Sequence, residues 1–250
     1  MKISVCVDAV FHGKDLVESV RGLRGTGVCA FEFWGWMDRD LDAIKRVKEE
    51  TGLEISTFSA KVPSLVDKRK HQGCVEGLKQ TLEAADKLGC KRLIATTGND
   101  TGYPHDYQMK VLAESLAMCE PYLRDAGVTL LVEPLNPHID HAGYFLCSSL
   151  EAFSLIDSVG SPCVKVLFDI YHQQITEGNI INNIVENIDK IGHFHSAGLP
   201  GRNELFTGEL NYPEICRAIS AAGYEGYFGL EYFPKSDVMA GLTKTVEMLR

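Results

Sequence analysis

Glu133, Asp169, His195 and Glu231 each stand at the end of a short apolar run: "LLVEPLN", "KVLFDIYH", "GHFHSAG" and "GLEYFP". Burying a carboxylate without a partner is so costly that the group normally changes protonation state or finds one. Nothing in "YFGLEYFP" can pair with Glu231. Taken singly, each residue has an ordinary reading. An acid at a strand end is commonly a loop residue or a helix N-cap, and a lone His in a strand is commonly a satisfied core residue. Four in consecutive runs point elsewhere. If these ends converge, three carboxylates and one imidazole need a cation. Hard oxygens with one nitrogen suit one divalent metal ion (Mn²⁺, Mg²⁺ or Co²⁺) better than a thiolate-type zinc site.

Other groups cluster with these in sequence. His193 and His195 are two apart and so share one strand face. His195 is nearer the strand's exit and is the ligand candidate, whereas His193 reads as a core residue or a support from beneath. His172 follows Asp169 by three in "DIYH", and Arg202 sits in the loop "AGLPGRNE". A loop Arg is commonly only solvated, but its planar fork also suits a substrate carboxylate or paired hydroxyls. Trp34 and Phe11 are candidates for the pocket wall or for core packing.

The elements that must carry these groups follow one repeated phrase: a helix-like segment, a Gly, then a β-branched or aromatic run. "DKLGCKRLIATT" and "RDAGVTLLVEPL" are examples. Gly just past a helix supplies the left-handed residue that closes its last turn. Strands are predicted over about 2–8, 29–34, 53–59, 91–97, 129–135, 164–170, 191–197 and 227–233, with helical patterns between them. Ser148 followed by Glu151 reads as a capping-box start. No linker or low-complexity stretch interrupts the series, so residues 1–250 read as one α/β domain, a single (β/α)8 TIM barrel. A doubly wound sheet would carry a glycine-rich phosphate turn after its first strand. "DAVFHGKD" has none.

Composition narrows the function classes. The chain has 250 residues, 45% hydrophobic, 24% charged and with a net charge of −9. That balance disfavours nucleic acid, which needs a concentrated basic surface. "DKRKHQ" at 67–72 is the nearest basic run and reads as a solvated loop or helix start, or as contacts to an anionic substrate. No signal peptide or span of ~20 apolar residues is evident, so a cytoplasmic, non-membrane protein with a small-molecule substrate is expected. Homo-oligomerisation stays open. The eight cysteines lack C-x-x-C spacing and read as reduced thiols.

"VEPLN", "FDIYH", "GHFHSAGLPGRNE…GELNYP" and "GLEYFP" resemble the xylose-isomerase-like TIM barrels. The likeness spans the barrel and is most specific from Glu133 to Pro234. Within that superfamily they look most like hydroxypyruvate isomerases, then ketose 3-epimerases of the tagatose/psicose type. The resemblance implies that Glu133, Asp169, His195 and Glu231 bind a divalent metal. It further implies that Glu133 and Glu231 are the catalytic acid/base pair, and that His172 and Arg202 contact substrate. The implied reaction interconverts hydroxypyruvate and tartronate semialdehyde, or a related 2-oxo hydroxy-acid, through a cis-enediolate. Two features pull away from it. Hydroxypyruvate isomerases often carry Gln where this chain has His195, as the 3-epimerases do not, and "FSAKVPSLVDKRKHQ" matches neither branch closely. An endonuclease-IV-like nuclease is the remote alternative, which would need more His and a basic groove.

Overall fold

β-branched and aromatic residues favour a pleated ladder, and each of the eight predicted runs forms a strand. The computed structural model describes residues 1–235 and 237–250. The strands are β1 Lys2–Cys6, β2 Ala30–Phe33, β3 Glu54–Ser59, β4 Arg92–Thr96, β5 Thr129–Glu133, β6 Val164–Asp169, β7 Ile191–Ser196 and β8 Tyr227–Leu230. All neighbours pair in parallel, and β8 pairs with β1 to close the barrel. Helices join successive strands and cover the outside. The architecture is a (β/α)8 barrel.

Several boundaries differ from expectation, for one reason: the backbone leaves the ladder early at the barrel's C-terminal rim, where the chain must turn outward. The first run stops at Cys6 and becomes a short helix, Val7–Val10. β8 stops at Leu230, so Glu231 is the first residue beyond it rather than a strand residue. At the helix ends the glycine reading is met. Gly89 and Gly127 hold φ of 66° and 61° just past the helices His71–Leu88 and His105–Ala126. Only half of the capping box forms. Ser148 accepts from the amides of Leu150 and Glu151, while the Glu151 carboxylate faces His105 Nε2 at 3.1 Å instead.

The period of two along each strand sorts the interior. Phe31 and Phe33 of β2 point to the helix layer and stack there with Phe58, which leaves Glu32 between them pointing into the bore. One part of the bore is filled by Ile94, Leu131 and Leu167, an apolar cluster separate from the main core. Another part is polar: Ser4, Glu32, Ser56 and His193, all buried. No helix among the described residues is long and apolar enough to cross a membrane. The run at 67–72 is a helix start: Asp67 caps a short 3-10 turn, Lys68–Lys70, that leads into His71–Leu88. Arg69 pairs with Asp67 and Lys68 with Glu114. These residues are not among those lining the cavity described next.

Candidate active site

The parallel register brings the strand ends level. Asp169 lies opposite His195 across β6 and β7, and His195 lies opposite Gly229 across β7 and β8. Glu133 ends β5, and Glu231 follows β8. The four residues anticipated as ligands therefore meet at one rim, all buried. His195 Nδ1 sits 3.6 Å from Glu133 Oε1 and 3.5 Å from Glu231 Oε2, and it has no hydrogen-bond partner. One donor atom each from Asp169, His195 and Glu231 falls within 4.8 Å of the others. A buried imidazole nitrogen left free between two carboxylates is the donor set that a divalent cation takes. The residues fit such an ion.

Asp169 is a helix N-cap that also faces the site. Its Oδ1 caps the helix Ile170–Thr176 by accepting from the amides of Tyr171 and His172. Its Oδ2 faces the site, 3.5 Å from His172 Nε2 and 3.8 Å from an Arg202 nitrogen. His172 is fully buried, with Nδ1 2.6 Å from the amide of Asn136, which leaves Nε2 without a partner. Arg202 is no solvated loop residue: only 15% of its side chain is exposed. Its backbone adopts φ of 54°, and its carbonyl accepts from the Phe233 amide at 2.7 Å, so the loop is tied to the exit of β8. From there it donates to Glu231 Oε2 at 2.5 Å, with its Nε left unpaired.

Electrostatics separates the two glutamates. Burial pushes the Glu133 carboxyl above its usual range, against the pull of His195. Burial acts on Glu231 in the same sense, but the neighbouring His195 and Arg202 charges outweigh it and hold that carboxyl down. Burial, followed by the Arg202 charge, pushes the His172 imidazole down to about 3, so it stands neutral.

These groups line a cavity of about 170 Å³ together with Trp34, Ser59, Ile94, Thr96, Leu135 and His141. Trp34 donates its indole N–H to Glu231 Oε1 at 2.7 Å, so it is a wall with a polar task. Phe11, the other wall candidate, packs in the main core and does not line the cavity.

Comparisons with known proteins identify the family. A family model described as xylose isomerase-like TIM barrel matches residues 12–250. The chain belongs to that family. Hydroxypyruvate isomerase of Escherichia coli is 29% identical over 97% of this chain and 97% of its own. A 2-oxo-tetronate isomerase of Cupriavidus necator is 40% identical over 52% of this chain and 49% of its own. Among solved structures, one described as AP endonuclease, family 2, from Brucella melitensis superposes with a TM-score of 0.93. It is 28% identical and covers 98% of each chain. As a member of the xylose isomerase-like barrels with isomerases among its full-length relatives, the chain is an isomerase.

One group in this family member's site escaped the strand-end reading. Glu32 lies in the middle of β2, not at its end, and its carboxylate reaches both His193 and His195 of β7. A signal did exist: an acid inside "AFEF" is as anomalous as the one in "GLEYFP".

Proposed function

We propose that the protein is a metal-dependent isomerase of small 2-oxo hydroxy-acids, interconverting hydroxypyruvate and tartronate semialdehyde or a close homologue. What carries this reading is one arrangement: the unpartnered His195 Nδ1 between the Glu133 and Glu231 carboxylates, in a small cavity that also holds a buried arginine. The names of the two isomerase relatives support the same class. Glu133, Asp169, His195 and Glu231 would hold the ion. When bound, a divalent ion polarises a carbonyl oxygen and offsets the negative charge that develops on it.

The chain's own residues then divide the work. The Arg202 guanidinium binds the substrate carboxylate, for which its unpaired Nε is available. His172, neutral and with Nδ1 engaged by Asn136, offers its Nε2–H to a substrate oxygen. One of the two glutamates removes the proton from the carbon next to the carbonyl, a glutamic acid returns a proton to the former carbonyl carbon, and the proton of the adjacent hydroxyl passes to the former carbonyl oxygen as that hydroxyl becomes the new carbonyl. Trp34 and the apolar wall of Ile94 and Leu135 keep water from the carbanionic species. At about 170 Å³ the cavity is smaller than the ~300–1,000 Å³ of sites for drug-sized ligands. That size favours a three- or four-carbon acid over a hexose.

The second reading is a ketose 3-epimerase, favoured by the imidazole of His195, which that group carries. The deciding measurement compares kcat/KM for hydroxypyruvate, 2-oxotetronate, tagatose, fructose and psicose, each with Mn²⁺, Mg²⁺ or Co²⁺. The acids are expected to lead; a neutral ketose ahead by more than about tenfold replaces the acid reading with the epimerase. A nuclease is disfavoured by the net charge of −9 and by the single imidazole among the four anticipated ligands.

Arg202→Lys gives an independent check on the carboxylate. Lysine is a point charge without the planar fork, so KM for the acid should rise at least tenfold while KM for any ketose turned over changes little. Equal KM values for the acid in the two proteins would remove Arg202 from substrate recognition.

A further inference from the structure

We infer that Glu32 is a positioning residue for His195: from beneath, it holds the ring so that Nδ1 faces the Glu133–Glu231 rim as a metal donor. This rests on the metal reading above and deepens it. Glu32, His193 and His195 are all buried in the bore. Glu32 Oε2 is fully engaged, accepting from Ser56 Oγ at 2.7 Å and meeting His193 Nε2 at 2.8 Å. Ser56 in turn lies 2.5 Å from Ser4 Oγ, so β1, β2, β3 and β7 share one buried polar chain. That leaves Oε1, which lies 3.3 Å from His195 Nε2; the two charged groups face each other there, and neither atom makes a hydrogen bond among the described residues.

A carboxylate only accepts, so a hydrogen bond closing this 3.3 Å approach would place the proton on Nε2. A neutral imidazole protonated there carries its lone pair on Nδ1, the atom 3.6 Å and 3.5 Å from the two rim glutamates. An outer carboxylate that fixes the tautomer and orientation of a ligating His is a general device of metal sites. Room for the contact is made by Gly229. A Cβ there would lie 2.3 Å from Glu32 Oε1 and 2.8 Å from His195 Cδ2. A buried acid in an otherwise apolar strand carries a desolvation cost, and two imidazoles and a serine hydroxyl offset it.

The test is Mn²⁺ titration of chelator-stripped protein by calorimetry, with a thermal melt as the check on folding. Glu32→Gln keeps the side chain's size but replaces one acceptor oxygen by a donor, and should weaken Mn²⁺ binding about 10–100-fold. Glu32→Asp, which keeps the charge but shortens the reach, should weaken it in the same direction and serves if the Gln variant does not fold. Because Glu32 acts through the ring, its effect must vanish when the ring is gone. In a His195→Gln background, Glu32→Gln should change the Mn²⁺ Kd by less than about twofold, the non-additivity expected of coupled residues. Wild-type affinity in both Glu32 variants, or an equal loss with and without His195, overturns the role of Glu32 alone. Failure of the stripped wild type to take up Mn²⁺ overturns the metal reading, and this inference with it.

Discussion

Glu133→Gln and Glu231→Gln are each expected to lower kcat by ~10²–10⁴-fold while leaving the barrel folded. Loss of a positioned proton-transfer group accounts for a factor of that size. Glutamine keeps the volume and one oxygen but cannot accept a proton at working pH, and it also removes a negative charge from the anticipated ligand set. The two substitutions should differ in their side effects. Glu231 takes the Trp34 indole on one oxygen and Arg202 on the other, so its replacement should also disturb substrate affinity through the arginine. Glu133 makes neither contact, and its loss should fall on kcat with less change in KM. Steady-state kinetics with an acid substrate and a melt of each variant make the measurement. A variant that keeps more than about a tenth of wild-type kcat loses its assigned role.

Stripping the protein with chelator is expected to abolish turnover, and Mn²⁺, Mg²⁺ or Co²⁺ should restore it. The reason is electrostatic. Four buried carboxylates, Glu32 among them, stand around His195, and the Arg202 guanidinium reaches Glu231 and Asp169. An ion that binds the folded chain and not the unfolded one must also stabilise it. At a free concentration of 100 times Kd the gain is about 2.7 kcal/mol, readable as a higher melting temperature. Elemental analysis should find about one divalent ion per chain. Metal-free protein with full activity in EDTA, and a melting temperature indifferent to added ion, would sink the four-ligand site.

How much of this was legible before the fold was known follows from the range over which each signal acts. The strand–helix alternation was legible because its causes are local: β-branched runs, amphipathic segments, and glycines such as Gly89 and Gly127 at positive φ. Once the count reached eight, the barrel followed, and its rule that functional groups gather at strand ends picked out Glu133, Asp169, His195 and Glu231 together. Local signals were weaker at the ends themselves. The run through Glu231 read as strand to residue 233, because nothing in "GLEYFP" marks where the ladder stops.

Sequence by itself thus determined the barrel and the four acidic and imidazole groups at its rim. Tertiary structure decided who stands next to whom. Arg202 belonged by composition to a solvated loop, and only the docking of that loop on the exit of β8 buries its guanidinium against Glu231. Glu32 lies 161 residues from His193, and neither its spacing nor its neighbours in β2 hint at the contact. Closure of the sheet is what brings β2 within reach of β7, and the bare Cα of Gly229 is what lets the two side chains meet. Strand periodicity says which way a side chain points. Only the packed bore says what it finds there.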